Sequence, residues 1–541
     1  MAFSSLDRYP AILLAVVSLA IGLAWYALGL PKDMPHSPLG PDGRIACVSY
    51  APFQGEQSPL DPNFVVPPAQ IDADLERLSK ITSCVRTYAT EKGIDRVPEF
   101  ARKHGLSVLQ GIWIGRDPAK NRQEIDTAVA LAREYHDTIR GLVVGNEVLL
   151  RGEMTATGLR ELIGDVKRQV DVPVTYADVW EYWLKNPELA GAVDFVTIHI
   201  LPYWEDFPVS ADMAARHVVD IYRKVAAAFP GKEIMIGEVG WPSQGRMRDG
   251  ALPSPSNQAR VLHEVITAAR RANWPVNLIE AFDQPWKRQL EGTAGGHWGL
   301  LDSETREPKF HWGAPISDHP LWLAQGALGI LFAFVVFAAA YLSARSEGED
   351  APERAPWFSV ALIALSGGLF LGWALAQAPL ESFSVIDWSR SLFLLGIAFL
   401  VPPICGAAIA RHTPMAGFAT VLDPMFWRAA LPLERLLAGA LMVSAMAGMV
   451  LALGLVFDPR YRDFHFAPLT GPAVALAIAS EISPAGLKRR GVAEWIAGSV
   501  LAASAVYISF SETPANWQGQ WFAALLLLLA ASCWRLRAAQ N

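Results

Sequence analysis

The chain has 541 residues, more than one hydrophobic core usually fills, so at least two domains are expected. Its formal net charge is only -7, from 46 basic and 53 acidic side chains. Because nucleic-acid-binding surfaces are strongly basic and this chain has no basic block, a nucleic-acid partner is not expected. The composition is mixed and charged up to about residue 318 and mostly apolar from Leu321 onward.

The first predicted element is a helix over residues 11–30, an uncharged apolar run that is long enough to cross a bilayer. A cleaved signal peptide is the alternative. Its apolar core is normally shorter and is followed by small residues at a cleavage site. Trp25, Tyr26 and Leu28 occupy that region here. We therefore predict that residues 1–39 form an uncleaved transmembrane anchor and a linker.

Residues 40–318 alternate between short apolar runs and helical patterns. One helical pattern places Val218, Ile221, Val225 and Phe229 on one face. Eight repeats of strand and helix in about 270 residues favour an α/β fold, a (β/α)8 TIM barrel, over an open sheet. The predicted strands cover residues 44–50, 82–88, 106–114, 141–147, 172–178, 193–199, 233–240 and 275–282.

Cys47 and Cys84 lie in the first two of these strands. A compartment outside the cytoplasm would permit a disulfide between them. Neighbouring parallel strands, however, seldom meet the geometric requirements of a disulfide, so we do not expect a bond. Cys405 and Cys533 lie in apolar segments, where each serves as a small apolar residue.

Two of the predicted strands end in a glutamate. Asn146-Glu147 closes the fourth strand, and Glu238, followed by Gly240-Trp241-Pro242, closes the seventh. Each could be an ordinary polar residue at a strand end. In this barrel, however, the active site is built from the C-terminal strand ends, so the two carboxylates are expected to face one another. A retaining glycosidase needs such a pair, one as acid and base and one as nucleophile.

Aromatic side chains crowd the same strand ends. Their flat faces suit the C–H surfaces of sugar rings, although packing at the barrel rim is an equal alternative for any one of them. Tyr50, Arg86 and Tyr88 are similarly divided between sugar contact and structural hydrogen bonding. The aromatic set is Trp113, Trp180, Trp183, Tyr203, Trp204, Trp241 and Trp286.

Residues 319–541 are expected to form an all-α, multi-span membrane domain. The predicted spans cover residues 321–343, 357–378, 391–410, 436–457, 468–484, 491–510 and 520–534. Alternate threading from a cytoplasmic N-terminus leaves only Arg390, Arg460 and Arg462 in the short outer loops. This positive-inside asymmetry places both termini in the cytoplasm and the barrel outside it. The basic residues on the cytoplasmic side are Arg8, Arg345, Arg354, Arg411, Arg428, Arg435, Lys488, Arg489, Arg490, Arg535 and Arg537.

The motifs around the two glutamates resemble those of family 17 glycoside hydrolases, retaining enzymes that act on β-1,3-glucans. The likeness covers nearly all of residues 44–312. Further matches are Tyr50, Arg86-Thr87-Tyr88, Phe282-Asp283-Gln284-Pro285-Trp286-Lys287 and His297-Trp298-Gly299-Leu300. The chain departs from the plant pattern at Leu201, in the place of a tyrosine, and at Gln284, in the place of a glutamate.

The resemblance implies a role for each residue. Glu147 is the acid and base, Glu238 is the nucleophile, and Asn146 is placed to contact the sugar 2-hydroxyl group. Lys287 and Glu291 correspond to an ion pair near the site, with a solvated loop pair as the alternative. The same likeness implies neither a cofactor nor a metal ion.

The membrane domain bears on the choice between hydrolysis and transfer, because a scavenging glucanase needs no such domain. The architecture resembles membrane-bound family 17 proteins of rhizobia that are linked to synthesis of cyclic β-1,3;1,6-glucans. We therefore expect a β-glucan glucosyltransferase or branching enzyme in a bacterial inner membrane, with its catalytic domain in the periplasm. The lipid bilayer, a β-glucan and a glucan synthase are its implied partners. The alternatives are an exported β-1,3-glucan hydrolase and a non-catalytic glucan-binding export or sensor subunit.

Overall fold

The computed structural model describes residues 8–348, 355–484 and 492–538. It divides into two compact units, Lys32–Ile316 and a second unit made of Met1–Pro31 with Ser317–Asn541. The predicted boundaries lay after residues 39 and 318. Residues 32–39 pack on the barrel within the first unit: Lys32 pairs with Ile316, and Arg270 donates to the carbonyl group of Leu39 (2.7 Å). Helix α1 (Arg8–Gly29) precedes the barrel and belongs to the second unit.

Lys32–Ile316 contains a closed barrel of eight parallel strands in sequence order, which confirms the predicted (β/α)8 fold. Each strand pairs with the next, and the eighth pairs with the first. The strands are β1 (Cys47–Ser49), β2 (Cys84–Arg86), β3 (Ser107–Ile112), β4 (Ile139–Asn146), β5 (Val174–Val179), β6 (Val196–His199), β7 (Ile234–Val239) and β8 (Val276–Leu278).

The barrel helices bury one face against the strands, as Val218, Ile221 and Val225 do in α7. Capping fixes where some of them begin. Asp117 accepts a hydrogen bond from the backbone N–H group of Ala119 (2.9 Å) at the start of α4, whose first residue is a proline. The helices are α2 (Pro68–Leu78), α3 (Val97–Lys103), α4 (Pro118–Glu134), α5 (Ala156–Lys167), α6 (Trp180–Lys185), α7 (Ala211–Ala228), α8 (Pro255–Ala272) and α9 (Arg288–Gly295).

A disulfide joins Cys47 to Cys84, so the expectation of two free thiols in the barrel was wrong. The register of β1 against β2 explains the bond. Val48 lies opposite Val85, which makes the cysteines that precede them neighbours across the two strands, with Cα atoms 4.3 Å apart. The residue pattern alone does not reveal this register, because the loop between the two strands is long.

The second unit consists of helices, and a close contact between two of them depends on glycine. A Cβ atom on Gly329 would lie 2.2 Å from the carbonyl oxygen of Gly368, so only glycine lets the two backbones approach this closely. The helices after the barrel are α10 (Trp322–Arg345), α11 (Trp357–Glu381), α12 (Val385–Ala410), α13 (Phe418–Val421), α14 (Pro424–Ala429), α15 (Pro432–Phe457), α16 (Phe466–Ile482), α17 (Val492–Ser511) and α18 (Trp517–Ala538).

Seven helices within the described residues are long and apolar enough to cross a membrane, which supports a multi-pass protein. The sequence predicted eight spans. The difference is α16, which has 17 residues and is buried over most of its length, so much of its apolar surface contacts protein. Several of the predicted cytoplasmic basic residues, Arg354 and Lys488-Arg489-Arg490, lie outside the described residues.

Candidate active site

Glu238 lies near the C-terminal end of β7, and its side chain is only 5% exposed. Its Oε1 atom accepts hydrogen bonds from Arg86 Nη1 (2.8 Å) and from the hydroxyl group of Tyr88 (2.9 Å). Arg86 is the last residue of β2, and its Nη1 also donates to the carbonyl group of Gly237 (3.0 Å). These charge-assisted contacts favour the ionised carboxylate.

Burial by itself acts to raise the pKa of Glu238. Electrostatic interactions with His199, Arg86 and Lys287 more than offset this, and the pKa lies below its usual value. Burial also raises the pKa of Tyr88, so its hydroxyl group keeps the proton that it donates. Glu238 is therefore held as an anion, the form that a nucleophile requires.

Glu147 directly follows β4, where the chain turns sharply. Gly145 has a φ of 87° and Glu147 a φ of 54°, both in the left-handed region that favours glycine. A Cβ atom on Gly145 would also lie 2.7 Å from Val148, so a side chain does not fit there. Backbone strain at a non-glycine residue such as Glu147 is typical of functional sites. The Glu147 side chain is 22% exposed, more than that of Glu238.

One guanidinium group connects the two strand ends. Arg86 contacts Glu238 through Nη1, and its Nη2 donates to the Oδ1 atom of Asn146 (2.5 Å). The backbone carbonyl group of Asn146 accepts a hydrogen bond from Arg151, which also donates to the carbonyl group of Ile114 (2.9 Å). Asn146 is thus fixed from both sides, and the end of β4 is tied to the ends of β2 and β3.

His199, the last residue of β6, lies between the two glutamates. Its Nδ1 atom is 2.8 Å from Glu147 Oε1, and its Nε2 atom is 3.7 Å from Glu238 Oε1. One ligand atom from each of these three residues lies within 4.8 Å of the other two, so the carboxylates share one small space. His199 was not among the predicted site residues, although its position at a strand end is the signal that singled out Glu238.

A third carboxylate group lies close to the pair. Glu280 follows β8, is almost fully buried, and contacts Lys287 Nζ through both oxygens (3.0 and 3.1 Å). Burial raises the pKa of Glu280 to about 7, although Lys287 acts to lower it. Lys287 was predicted to pair with Glu291, but its salt bridge goes to Glu280, because a buried carboxylate without a partner would be costly.

Glu291 still affects Lys287 electrostatically. Burial acts to lower the pKa of Lys287, but the nearby Glu280 and Glu291 reverse this, and the net pKa is raised. The ammonium group therefore stays charged and adds to the positive field around Glu238.

Four predicted sugar contacts are fully buried rings: Tyr50, Trp183, Tyr203 and Trp241. Each donates its polar hydrogen to a group inside the barrel unit. A ring without an exposed face is not available to stack on a sugar, so these four have a structural role. Packing at the barrel rim was the alternative for the two tryptophans and Tyr203, and structural hydrogen bonding was the alternative for Tyr50. The donor and acceptor pairs are Tyr50 with Asp74, Trp183 with Thr197, Tyr203 with Arg246 and Trp241 with Leu252.

Four other rings keep exposed surface. Trp113 is 41% exposed and has the guanidinium group of Arg151 over it, 4.2 Å from the ring centre. Trp180, Trp204 and Trp286 are half-buried. These four side chains offer aromatic surface that a saccharide can reach from solvent.

Glu147, His199 and Glu238 converge closely enough that they could also be considered as metal ligands. The surroundings do not favour this use. Arg86 and Tyr88 already donate to Glu238 Oε1, and a guanidinium group beside a carboxylate repels a cation. The donor set fits proton and glycosyl transfer better than it fits a divalent ion.

A (β/α)8 barrel with paired glutamates at the ends of β4 and β7 defines a glycoside hydrolase, and the protein is an enzyme of this class. A family described as the BtgE/BtgC glycoside hydrolase domain matches residues 47–299. This part of the chain is a glycoside hydrolase domain of the family 17 type.

The relatives named here match half of the chain or less. Glucan 1,3-beta-glucosidase of Saccharomyces cerevisiae is 27% identical over 257 residues, which are 43% of this chain and 81% of the yeast protein. The probable beta-glucosidase btgE of Neosartorya fischeri is 27% identical over 234 residues, 42% of this chain and 41% of that protein. The solved family 17 β-1,3-glucanosyltransferase of Rhizomucor miehei is 27% identical with a TM-score of 0.44, covering 50% of this chain and 98% of that chain.

Proposed function

We propose that the protein is a membrane-bound β-glucan glucosyltransferase that works by a retaining double displacement. The observation that carries the proposal is the approach of Glu147 and Glu238, which bring carboxylate oxygens within 4.8 Å of one another. Retaining enzymes keep their carboxyl groups about 5 to 5.5 Å apart, whereas inverting enzymes need roughly 6.5 to 9.5 Å to admit a water molecule. The short separation supports direct attack on the sugar.

In the first step, ionised Glu238 attacks the anomeric carbon while Glu147 gives its proton to the departing glycosidic oxygen. In the second step, Glu147 takes a proton from the incoming hydroxyl group, and that oxygen displaces Glu238 from the anomeric carbon. Asn146, held by Arg86 through Oδ1, would donate from its amide group to the sugar 2-hydroxyl group. This contact strengthens as positive charge develops on the sugar ring.

A β-1,3-glucan is the proposed substrate. Its support is the family 17 type of the domain and the names of the fungal relatives, which are glucan 1,3-beta-glucosidases. Trp113, Trp180, Trp204 and Trp286 offer apolar faces for successive glucose rings, and Lys287 and Glu291 lie near enough to shape the charge around the reacting sugar. The fully buried Tyr50, Tyr203 and Trp241 would then act by supporting this surface.

Transfer is favoured over hydrolysis because of the second unit. Seven apolar helices would keep the enzyme at a membrane, where a nascent glucan chain emerges at high local concentration and serves as acceptor. The distribution of basic residues in the sequence supports a barrel, residues 40–318, outside the cytoplasm and a membrane domain formed by residues 319–541. A bacterial inner membrane, with the barrel in the periplasm, is proposed from the resemblance to membrane-bound proteins of rhizobia. A glucan synthase would supply the chain. Burial of Val17, Ile21 and Trp25 among the other helices supports an anchor that is retained.

The test uses the full chain in detergent micelles, incubated with laminari-oligosaccharides of increasing length. We expect products longer than the substrate, and linkage analysis then identifies the bond formed. The Glu238→Ala variant is the matched control and should form none of them. If the wild-type protein gives only shorter sugars at high acceptor concentration, it is a hydrolase. If it gives no products at all, the proposed function is wrong.

A further inference from the structure

The imidazole ring of His199 lies between the two carboxylates, Glu147 and Glu238, of the candidate active site. The side chain is fully buried, with Nδ1 2.8 Å from Glu147 Oε1 and Nε2 3.7 Å from Glu238 Oε1. Nε2 is buried and has no hydrogen-bond partner among the described residues. A ring that merely filled space would not need to direct both of its nitrogens at carboxylates.

The space for this ring depends on a glycine in the neighbouring strand. A Cβ atom on Gly237 would lie 2.3 Å from Cγ2 of Thr197, and 3.2 Å from Cδ2 and 3.4 Å from Nε2 of His199. The residue before Glu238 thus leaves room for Thr197 first and also for the ring.

Three acidic groups surround the ring. Glu147 lies at the end of β4, Glu238 lies in β7, and Asp178 lies in β5. Burial raises the pKa of Asp178 to about 6, and the nearby His199 acts to lower it. Arg86, at the end of β2, and Lys287 are cations that act on the same Glu238, and Arg86 Nη1 donates to it directly. A negative charge 3.7 Å from Nε2 favours a hydrogen on that nitrogen. The second proton of the pair then lies between Nδ1 and the Oε1 atom of Glu147, which are 2.8 Å apart.

We infer that His199 and Glu147 hold one transferable proton between them, and that His199 is the positioning residue that sets when Glu147 acts as acid and when it acts as base. This inference rests on the retaining reaction proposed above. In the first step the shared proton leaves through Glu147 to the departing oxygen. The pair is then a neutral imidazole, with its hydrogen on Nε2, beside an ionised carboxylate.

The second step restores the proton. The lone pair of Nδ1 now faces the Glu147 carboxylate, and this repulsion increases the tendency of Glu147 to take a proton from the incoming hydroxyl group. The proton count balances, since one proton goes to the leaving group and one returns from the acceptor. Glu238 is an uncharged ester at this stage, and His199 keeps the hydrogen on Nε2 because the buried Nε2 atom has no hydrogen-bond partner among the described residues to which the proton could pass.

The first measurement does not depend on turnover. The full chain is labelled with 15N-histidine, reconstituted in lipid vesicles and studied by solid-state NMR. The His199 signals are those absent from the His199→Asn variant. We expect a hydrogen on Nε2, and an Nδ1 signal that shifts in Glu147→Gln, because an amide cannot share a proton with the ring. A bare Nε2, or an Nδ1 signal that is identical in Glu147→Gln, would overturn the inference.

The second measurement compares two variants with complementary geometry. The amide of His199→Asn can reach the position of Nδ1, and that of His199→Gln the position of Nε2, but neither amide titrates. We expect kcat/KM on a laminari-oligosaccharide to fall by about 10-fold or more in both, with the alkaline limb of the pH profile moved to lower pH. A dinitrophenyl β-glucoside, whose leaving group needs no proton, should be affected much less.

The outcomes distinguish a failure of the proposed role of His199 from a failure of the proposed function. Equal losses on both substrates, with an unmoved alkaline limb, would make His199 a packing residue and contradict the inference while the retaining reaction stands. A wild-type protein that is inactive on every glucan would instead contradict the proposed function. The NMR result would then still decide whether the ring and Glu147 share a proton.

Discussion

The ends of β4 and β7 each carry a glutamate, but the surroundings of the two differ. Glu238 is 5% exposed and has Arg86 and Tyr88 on one carboxylate oxygen, whereas Glu147 is 22% exposed and its carboxylate contacts His199. The surrounding charges, His199 and Arg86 first among them, hold Glu238 ionised, whereas Glu147 has His199 Nδ1 as a close partner and more access to solvent. The comparison teaches that residues from neighbouring strands, β2 and β6, give the two glutamates different surroundings.

The largest expected effect comes from removing Glu238, the proposed nucleophile. Glu238→Ala should lower kcat on laminari-oligosaccharides by about 10⁴-fold or more, because no other group can form the covalent intermediate. Azide should partly restore cleavage, since a small anion fits the vacated space and attacks the sugar. Glu264→Ala, on the surface of α8, is the matched control and should keep full activity. Unchanged activity in Glu238→Ala would remove this residue from the mechanism.

Removal of the acid and base should cost less and should depend on the leaving group. Glu147→Ala is expected to lower kcat/KM on a glucan by roughly 10²- to 10⁴-fold, the usual contribution of a general acid. On a dinitrophenyl β-glucoside the first step needs no acid, so the variant should show a burst of dinitrophenol followed by slow turnover. Equal losses on the two substrates, without a burst, would mean that Glu147 is not the proton donor.

The cation beside Glu238 should set the acid limit of activity. Glu238 must be ionised, and its lowered pKa keeps it ionised as the pH falls below the usual range of a glutamate. Arg86→Gln removes a lowering effect, so the pKa should rise and the acid limb of kcat/KM should move to higher pH, by about one unit.

Tyr88→Phe should move the acid limb in the same direction by a smaller amount, which keeps the test valid if the buried Arg86 is needed for folding. Arg260→Gln, an exposed arginine of α8, is the control and should leave the limb in place. An acid limb that stays fixed in both site variants would contradict the assignment of Glu238.

The exposed aromatic surface should affect the fate of the intermediate more than its formation. Trp113→Ala and Trp204→Ala are expected to lower the ratio of transfer to hydrolysis severalfold, because an acceptor that loses a stacking surface competes less well with water. Trp113→Phe and Trp204→Phe retain a flat face and should retain most of the ratio. A fall in donor cleavage without a change in the ratio would place these rings on the donor side.

The opposite end of the barrel should matter least for activity. Cys47 and Cys84 begin β1 and β2, at the end away from the glutamates, so the Cys47→Ser/Cys84→Ser double variant should keep its kcat. Its free energy of unfolding should fall by about 2 to 4 kcal/mol, the usual contribution of a disulfide. Denaturant unfolding of the reduced wild-type protein is the control. A large loss of activity in a folded double variant would contradict this separation.

The strand order and the two glutamates could be predicted because both follow from position along the chain. A repeat of strand and helix fixes the barrel, and the last residues of its strands then converge. Whether an aromatic side chain is buried or exposed could not be predicted in this way. Trp183 is buried and Trp204 is half-buried, although both follow strands, because the path of each loop decides which face meets solvent.

Two side-chain pairings could also not be predicted from the sequence. The pairing of Lys287 with Glu280, and of Cys47 with Cys84, depends on which residues lie opposite one another in three dimensions. His199 illustrates a different limit, since its strand-end position was visible. A single histidine gives no pattern until the two carboxylates on either side of it are known.

The first and last residues of the barrel unit are held side by side. Lys32 and Ile316 exchange backbone hydrogen bonds in both directions, at 2.8 and 2.9 Å. A folded segment whose two ends meet can enter a host chain at one peptide bond without stretching that chain. The gene for a membrane protein could therefore gain or lose this barrel in one insertion or deletion. Another domain with adjacent ends could replace it at the same place, between the residues that flank Lys32 and Ile316.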